Sequence, residues 1–182
     1  FSIGKYEERK NHRMLVEIVE ELSAVSKIHL TIAGERTTSA HQAYYDRLAA
    51  YIADHGLQDK VTLLVNLNRQ QVAEQYRKAD LFVIPSTREP ASISQLEAMA
   101  FSLPVVCGDK NGTACYVENG VNGWQFRDNR KASLKEVLDK MVGSPEQLQK
   151  MGQESYRLIQ EKYQIENYLE GIKELLKKLG KE

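Results

Sequence analysis

The chain has 182 residues, 42% of them hydrophobic, and its 25 Lys and Arg balance 25 Asp and Glu to a formal net charge of zero. A chain of this length can bury a core of its own, so we expect residues 1–182 to form a single domain. The balanced charge argues against a nucleic-acid partner, and it confines any anion site to a local cluster of cations.

Cysteine usage and the lack of long apolar runs indicate where the chain works. Cys107 and Cys115 are the only cysteines, and no histidine lies near them at metal-ligand spacing, which favours two reduced thiols. No apolar run approaches the roughly 18 residues of a membrane span, and the N-terminus lacks a signal-peptide pattern. We expect a cytoplasmic location, with peripheral contact at the inner face of the cell membrane as an alternative. Because the chain starts at Phe1 inside a predicted strand, we also expect it to be part of a longer polypeptide.

Short β-rich runs alternate with amphipathic helical patterns through the first two thirds of the chain. A strand at the N-terminus precedes a helix predicted over 11–25, where apolar residues recur at helical spacing. Further strands are predicted at 28–33, 61–65, 81–84, 104–107 and 124–126, with helices near 45–56, 69–78 and 92–100. Near-continuous apolar strands that alternate with helices are typical of a parallel sheet covered on both faces. We therefore predict an α/β fold with about six strands.

The last third of the chain is predicted to be helical. One apolar stripe runs from Leu134 to Met141, and Ser144-Pro145-Glu146-Gln147 fits a capping box with proline at the first helical position. A third stripe runs from Leu169 to Leu179. This last stripe could pack on its own sheet, on another domain or on a membrane surface.

Glu89 and Glu97 flank the predicted start of a helix after the 81–84 strand. Ser92-Ile93-Ser94-Gln95 and Ser94-Gln95-Leu96-Glu97 each fit a capping box, so the helix should begin near Ser92. Free amides at a helix N-terminus favour a phosphate, and Glu97 would lie roughly 7 Å further along the helix. Carboxylates accept hydrogen bonds from sugar hydroxyls, so the pair predicts a site for a sugar-linked nucleotide diphosphate. The alternative is a helix cap and a solvated loop residue.

The loop after the first strand supplies positive charge at the same sheet edge. It holds a single glycine, Gly4, and therefore lacks the GxGxxG dinucleotide fingerprint. Lys5 and Lys10 could neutralise phosphates as point charges, although two solvated surface lysines are the alternative. The histidines are scattered and no acidic DxD pair follows a strand, so we expect no bound metal.

Taken in order, these motifs resemble the C-terminal, donor-binding domain of the retaining nucleotide-sugar glycosyltransferases of family 4. That family, also called glycosyl transferases group 1, has the GT-B architecture of two facing Rossmann-like domains. The resemblance covers nearly the whole chain and implies a Rossmann-like, doubly wound sheet. Its motifs are Gly4-Lys5 with Lys10, Ile32-Ala33-Gly34, Pro85-Ser86 with Glu89, Glu97-Ala98-Met99-Ala100, Pro104-Val105-Val106, Asn111-Gly112-Thr113, Tyr116-Val117-Glu118-Asn119-Gly120 and Asn122-Gly123.

The resemblance also implies a role for each matching position. Lys5 and Lys10 would hold the diphosphate and stabilise it as the leaving group, and no catalytic acid or base is assigned to this half. Glu89 would contact the donor sugar and Glu97 the ribose hydroxyls. The remaining implied positions are the amides of Ser92 and Ile93 beside the diphosphate, and Asn66, Leu67, Asn68 and Arg69 against the base.

The implied activity is transfer of a hexose from a UDP- or GDP-linked donor, with retention and without a cofactor. The acceptor would be a glycan or a lipid-linked glycan, in bacterial surface polysaccharide synthesis. An N-terminal acceptor domain, absent from this chain, would complete the enzyme, so this part alone should be inactive.

Lys5 stands where the family usually has Arg, and Ser92 and Leu103 stand where it commonly has Gly. These departures keep a second interpretation open, a non-catalytic nucleotide- or partner-binding module. An epimerase or phosphorylase of the same architecture fits the Glu89 to Glu97 block less well.

Overall fold

A computed structural model describes residues 1–180 of the chain. The strands within this range are β1 (Ser2–Ile3), β2 (Leu30–Gly34), β3 (Val61–Val65), β4 (Phe82–Ile84), β5 (Val105–Gly108) and β6 (Gly123–Phe126). The α-helices are α1 (His12–Leu22), α2 (Ser39–Asp54), α3 (Arg69–Lys78), α4 (Ile93–Ala100), α5 (Lys131–Met141), α6 (Pro145–Lys162) and α7 (Ile165–Lys178). Single 3-10 turns lie at Glu8–Lys10 and Ala114–Tyr116.

The strands form two parallel three-stranded sheets that meet between β1 and β4. One sheet has the order β1-β2-β3 and the other β4-β5-β6. The amino group of Phe1 donates to the Leu81 carbonyl at 2.8 Å, and the Val83 amide donates to the Phe1 carbonyl at 2.9 Å. From edge to edge the strands therefore follow the order 3-2-1-4-5-6 of the doubly wound nucleotide-binding fold. The predicted fold class is confirmed.

Successive side chains of β4 and β5 point to opposite faces of the sheet, and helices cover both of these faces. Val83 and Val106 pack with the core residues of α1, α2 and α5. Their neighbours Phe82 and Val105 point the other way and pack with Tyr76 of α3, Met99 of α4 and Ile159 of α6. Successive side chains of a strand face opposite sides of a sheet, so continuous apolar runs are needed where both faces are buried.

Several helix ends differ from the predicted ones. Helix α2 begins six residues before Tyr45, because Thr38 caps its polar first turn by accepting from the His41 amide at 3.1 Å. The capping box predicted at residues 144–147 is wrong, since Ser144 makes no cap bond, although Pro145 does occupy the first helical position. The capping box that does form is at α3, between Asn68 and Gln71, where hydrogen bonds run in both directions.

Helix α7 confirms the third amphipathic stripe, but the rest of residues 1–180 does not bury that stripe. None of its residues is buried, and Ile165 and Leu175 are 61% and 57% exposed. Packing on its own sheet is therefore wrong for this helix, because a covered apolar face would have lost most of that exposure. Residues 1–180 contain no helix with the length and apolar character needed to cross a membrane.

His12 is a polar side chain buried on the core side of α1. It is 1% exposed, its ring packs 5.7 Å from that of Tyr6 and 6.3 Å from that of Tyr44, and its Nδ1 has no hydrogen-bond partner among residues 1–180. Burial lowers the pKa of His12 to about 3, with the charge of Lys10 as a smaller cause. The native protein therefore holds a neutral imidazole well into the acid range.

We expect His12 to make the protein less stable as the pH falls below the ordinary histidine pKa of about 6.5. Between that value and about pH 3 the unfolded chain binds a proton on His12 and the native chain does not, so acid favours unfolding. The loss of unfolding free energy from about pH 6.5 to about pH 4.5 should be about 2 to 3 kcal/mol smaller in His12→Leu than in the wild type. Urea unfolding at the two pH values measures this difference. Equal losses in both proteins would contradict the assignment.

Candidate functional site

A cleft of about 670 Å³ opens where the two sheets meet, at the carboxyl ends of the strands. This is the point at which the strand order reverses, and doubly wound folds bind ligands there. A larger cavity, of about 1240 Å³, lies at the amino ends of the strands beside Phe1, Leu30, Leu81 and Pro104. We place the site in the smaller cleft because the loops with charged side chains converge on it. Its walls include Gly4, Lys5, Arg9, Lys10, Gly34, Glu35, Thr37, Asn66, Leu67, Glu89 and the segment from Ala91 to Ser94.

Close backbone packing holds the loop after β1 in place. The Gly4 amide donates to the Ala33 carbonyl at 3.0 Å, and a Cβ on Gly4 would come within 2.9 Å of Lys10 Cδ. Glycine thus lets the alkyl stem of Lys10 cross the strand end. At Gly34 a Cβ would lie 2.4 Å from the ring of Tyr6, whose hydroxyl donates to the Leu64 carbonyl at 2.8 Å. The loop that carries Lys10 is therefore anchored to β2 and β3.

Lys10 and Glu89, both predicted site residues, are in direct contact. Lys10 Nζ donates to Glu89 Oε2 at 2.5 Å, and the two side chains are 14% and 7% exposed. Arg9 Nη1 donates to the same oxygen at 3.2 Å. The other carboxylate oxygen, Oε1, has no hydrogen-bond partner among residues 1–180. Arg9 was not among the predicted site residues, because its only signal in the sequence was its place beside Lys10 in a charged loop.

Lys5 lines the cleft but is held weakly. Its Nζ lies 3.8 Å from Glu35 Oε2, and both side chains are about half exposed. Exposed pairs of this kind contribute little to stability, so Lys5 can turn toward an anion in the cleft. The pKa of Glu35 lies below its ordinary value chiefly because the Thr37 hydroxyl donates to it, with Lys5 contributing less.

Helix α4 begins at Ile93, so the predicted start near Ser92 is confirmed. The capping boxes proposed there are wrong, because Ser92 makes no cap bond and its hydroxyl pairs with that of Ser94 at 2.9 Å. Ser92, Ile93 and Ser94 all line the cleft. The first turn of α4 thus presents amides without a side-chain cap, at the positive end of the helix dipole.

Glu97 does not line the cleft. It is exposed on the α4 surface that faces α3, where Glu97 Oε2 accepts from the Tyr76 hydroxyl at 3.0 Å. The same hydroxyl lies 3.2 Å from the Ser94 carbonyl, so Tyr76 ties Glu97 to the first turn of the helix. The structure therefore brings Lys5, Lys10, Glu89, Ser92 and Ile93 together and places Glu97 one helical turn away.

The segment predicted to face the base divides between the cleft and α3. Asn66 and Leu67 line the cleft, whereas Asn68 and Arg69 are the N-cap and first residue of α3 and do not. Asn66 adopts a left-handed backbone with φ of 51°, and its side-chain oxygen accepts from the Arg36 amide at 2.8 Å. That bond joins the loops after β2 and β3 at the edge of the cleft.

The loop after β5 supports the site from behind. The Gly112 amide donates to the Glu89 carbonyl at 2.8 Å. Gln95 of α4 and Thr113 form a closed buried pair, in which Gln95 Nε2 donates to the Thr113 carbonyl and the Thr113 hydroxyl donates to Gln95 Oε1. Buried polar groups that satisfy each other in this way fix a single geometry. They lock the Glu89 loop and α4 onto the sheet.

Two other kinds of site find little support in the described residues. No group of three or more His, Cys, Asp or Glu side chains within residues 1–180 is arranged to hold a metal ion. Cys107 is buried in β5, and burial raises the pKa of its thiol to about 12, which leaves it a small apolar side chain rather than a nucleophile.

The sequence profile of the family described as Glycosyl transferases group 1 matches residues 1–158. This chain belongs to that family. The match contains every predicted site position and ends within α6.

Curated relatives in the group 1 family include proteins of several named activities. The chain is 24% identical over 169 residues to a lipopolysaccharide core biosynthesis mannosyltransferase, LpcC, of Rhizobium leguminosarum, which covers 93% of this chain and 47% of that protein. It is 31% identical over 121 residues to a D-inositol 3-phosphate glycosyltransferase of Mycolicibacterium smegmatis, covering 66% of this chain and 27% of that protein. The chain therefore spans less than half the length of these relatives.

Two solved structures share the fold of this chain. The C-terminal domain of a glycosyl transferase group 1 family protein, LpcC, from Francisella tularensis superposes with a TM-score of 0.81 at 20% identity, over 91% of this chain and 87% of that one. HepE of Anabaena in complex with UDP superposes with a TM-score of 0.81 at 19% identity, over 98% of this chain and 49% of that one. The first of these structures is itself a C-terminal domain, and the second is matched over about half of its length.

Proposed function

We propose that the chain is the nucleotide-sugar-binding half of a retaining glycosyltransferase with GT-B architecture. The observation that carries the proposal is the contact of Lys10 with Glu89 at the switch-point cleft, beside the uncapped start of α4. A cation, a cluster of free amides and a carboxylate with one free oxygen match a diphosphate joined to a polyhydroxylated sugar.

In this proposal each wall of the cleft binds a different part of the donor. Lys5, Lys10 and the amides of Ser92 and Ile93 hold the diphosphate, and Glu89 Oε1 accepts from a sugar hydroxyl. The same positive groups stabilise the negative charge that builds on the diphosphate as it leaves. The base lies against the segment from Asn66 to Arg69, and the ribose lies along the α4 surface that carries Glu97.

The named relatives support a nucleotide-sugar donor. HepE of Anabaena has been crystallised with UDP and with UDP-glucose, and one curated relative is a mannosyltransferase of lipopolysaccharide core biosynthesis. We propose a UDP- or GDP-linked hexose as donor and no other cofactor. The acceptor is a glycan or a lipid-linked glycan of a bacterial surface polysaccharide, and transfer takes place on the cytoplasmic side.

A second domain of the same polypeptide is proposed to bind the acceptor. The chain spans less than half the length of these curated relatives, and α7 presents an apolar stripe that is not buried within residues 1–180. That second domain, or the leaving phosphate itself, would supply any general base. The half described here binds the donor and stabilises the leaving group.

Calorimetry with UDP and GDP tests the donor site on this chain. We expect one of the two to bind, and Glu97→Ala to weaken that binding about 10- to 150-fold, because a hydrogen bond to a charged group contributes about 1.5 to 3 kcal/mol. Glu136→Ala is the matched control, since Glu136 is an exposed helix carboxylate that pairs only with Lys140. Lack of binding by either nucleotide would overturn the proposal, and an unaffected Glu97→Ala would remove Glu97 from the site.

A non-catalytic nucleotide- or partner-binding module is the second candidate. Lys5 and Ser92, at positions where the family usually has Arg and Gly, favour it. Donor hydrolysis or transfer by the longer polypeptide, lost in Glu89→Ala, would exclude the binding module. Binding without turnover would support it.

A further inference from the structure

Arg9 lines the cleft, but the proposed function gives it no contact with the donor. We propose that Arg9 is the counter-ion that keeps Glu89 aimed at the donor sugar when Lys10 moves to the diphosphate. This inference rests on the proposed function. It assigns a positioning residue that neither the sequence motifs nor the family comparison identified.

Lys10 is drawn by two anions once a donor occupies the cleft. Its side chain is 14% exposed and its Nζ lies 2.5 Å from Glu89 Oε2, so in the ligand-free protein Lys10 neutralises that carboxylate. A diphosphate attracts the same ammonium, because it carries more negative charge and sits at the uncapped start of α4. Glu89, only 7% exposed, would then lose its nearest cation, and an unpaired carboxylate at that depth is unfavourable.

The contacts of Arg9 do not involve Lys10, so Arg9 can stay paired with Glu89 when Lys10 moves to the diphosphate. Its Nη1 donates to Glu89 Oε2 at 3.2 Å, the oxygen that Lys10 also contacts. At the other end of the guanidinium, Nε lies 2.8 Å from Glu7 Oε1, an ion pair by distance rather than an aligned hydrogen bond. The Arg9 carbonyl accepts from the Thr87 amide at 2.8 Å, which joins its backbone to the loop that carries Glu89.

This arrangement distinguishes a positioning role from direct phosphate binding. A planar guanidinium can hold two carboxylates at once, and Arg9 sits between Glu7 and Glu89. Since it takes only Oε2 of Glu89, it leaves Oε1 free for a sugar hydroxyl. Arg9 should therefore matter for the sugar part of the donor and little for the nucleotide diphosphate.

The test compares the affinities of a sugar nucleotide and of its free diphosphate, using UDP-glucose with UDP and GDP-mannose with GDP. For the pair that the wild type prefers, Arg9→Ala should weaken binding of the sugar nucleotide about tenfold or more and change that of the diphosphate less than about threefold. Arg9→Lys should recover part of the loss, because it keeps the charge without the fork. In a Glu89→Gln background, Arg9→Ala should have no further effect on the ratio of the two affinities.

Arg13→Ala is the matched control, because Arg13 pairs with Glu17 and stacks on the ring of Tyr51, and it does not line the cleft. An equal loss for diphosphate and sugar nucleotide would overturn the inference in favour of direct phosphate contact. The inference would also be overturned if Arg9→Ala left the ratio of sugar-nucleotide affinity to diphosphate affinity unchanged, or if that ratio were one in the wild type. Each of these results leaves the donor site standing, whereas failure of the wild type to bind either diphosphate would overturn the proposed function itself.

Discussion

Lys10→Met should weaken binding of UDP or GDP by about 100-fold or more, the largest effect that we expect for a single cleft residue. The substitution removes the least exposed cation of the cleft and leaves Glu89 with Arg9 as its remaining cation. An incoming diphosphate would then lose an attractive contact and meet a more negative cleft. Methionine keeps the alkyl stem that packs on Gly4, so the loop after β1 should keep its shape.

Calorimetry of the folded variant measures this effect, with thermal unfolding as the check on folding. Lys135→Met is the control, because Lys135 pairs with Asp139 on the outer face of α5. The affinity of Lys5→Met should fall between those of Lys10→Met and Lys135→Met. Lys5 lines the cleft, but its side chain is half exposed and its Nζ lies 3.8 Å from Glu35 Oε2. An affinity of Lys10→Met within about threefold of the wild type would contradict a diphosphate role for Lys10.

Gly112→Ala should lower the free energy of unfolding by about 3 kcal/mol and remove donor binding. A Cβ on Gly112 would lie 1.8 Å from the Pro90 carbonyl oxygen and 2.7 Å from the Pro90 carbonyl carbon, which are backbone atoms that cannot turn aside. The loops after β4 and β5 would have to separate, which breaks the bond from the Gly112 amide to the Glu89 carbonyl. Without that bond, Glu89 would no longer be held in its position in the cleft.

Urea unfolding of Gly112→Ala and Gly171→Ala gives a matched comparison. A Cβ on Gly171 meets no other atom within 4 Å, and this residue lies inside α7, where alanine favours the helix by about 0.5 to 1 kcal/mol. The control should therefore be as stable as the wild type or slightly more stable. Wild-type stability of Gly112→Ala would mean that the two loops can separate at little cost.

Local sequence patterns predicted the strands and helices well where buried residues recur at a regular spacing along the chain. The runs at 61–65 and 81–84 became β3 and β4. All of β4 is buried, as expected of a strand covered on both faces, whereas β3 is an edge strand in which only Val61 is fully buried. The first turn of α2 was missed because its residues are polar and its start depends on the Thr38 cap. The stripe of α7 was predicted, but its lack of a partner was not, since periodicity does not disclose what covers a face.

Most of the predicted site positions line one cleft, whereas Glu97, Asn68 and Arg69 do not, and the contacts among these residues were predicted less well. Lys10, Glu89 and the start of α4 are close together, as the strand order of the fold requires. The capping boxes at α4 were wrong because the Ser92 hydroxyl pairs with Ser94, and Glu97 with Tyr76 of a neighbouring helix. Arg9 was missed because a charged loop residue is ordinarily a solvated one.

By itself, the amino-acid sequence determined the order of strands and helices, the family and the set of charged residues at one edge of the sheet. Hydrophobic periodicity and motif spacing are properties of short segments, so no tertiary contact is needed to detect them. Only the tertiary structure decided which charges pair. Lys10 and Arg9 reach Glu89 across 79 and 80 positions of the chain, and such contacts exist only after two distant loops have been brought to the same cleft.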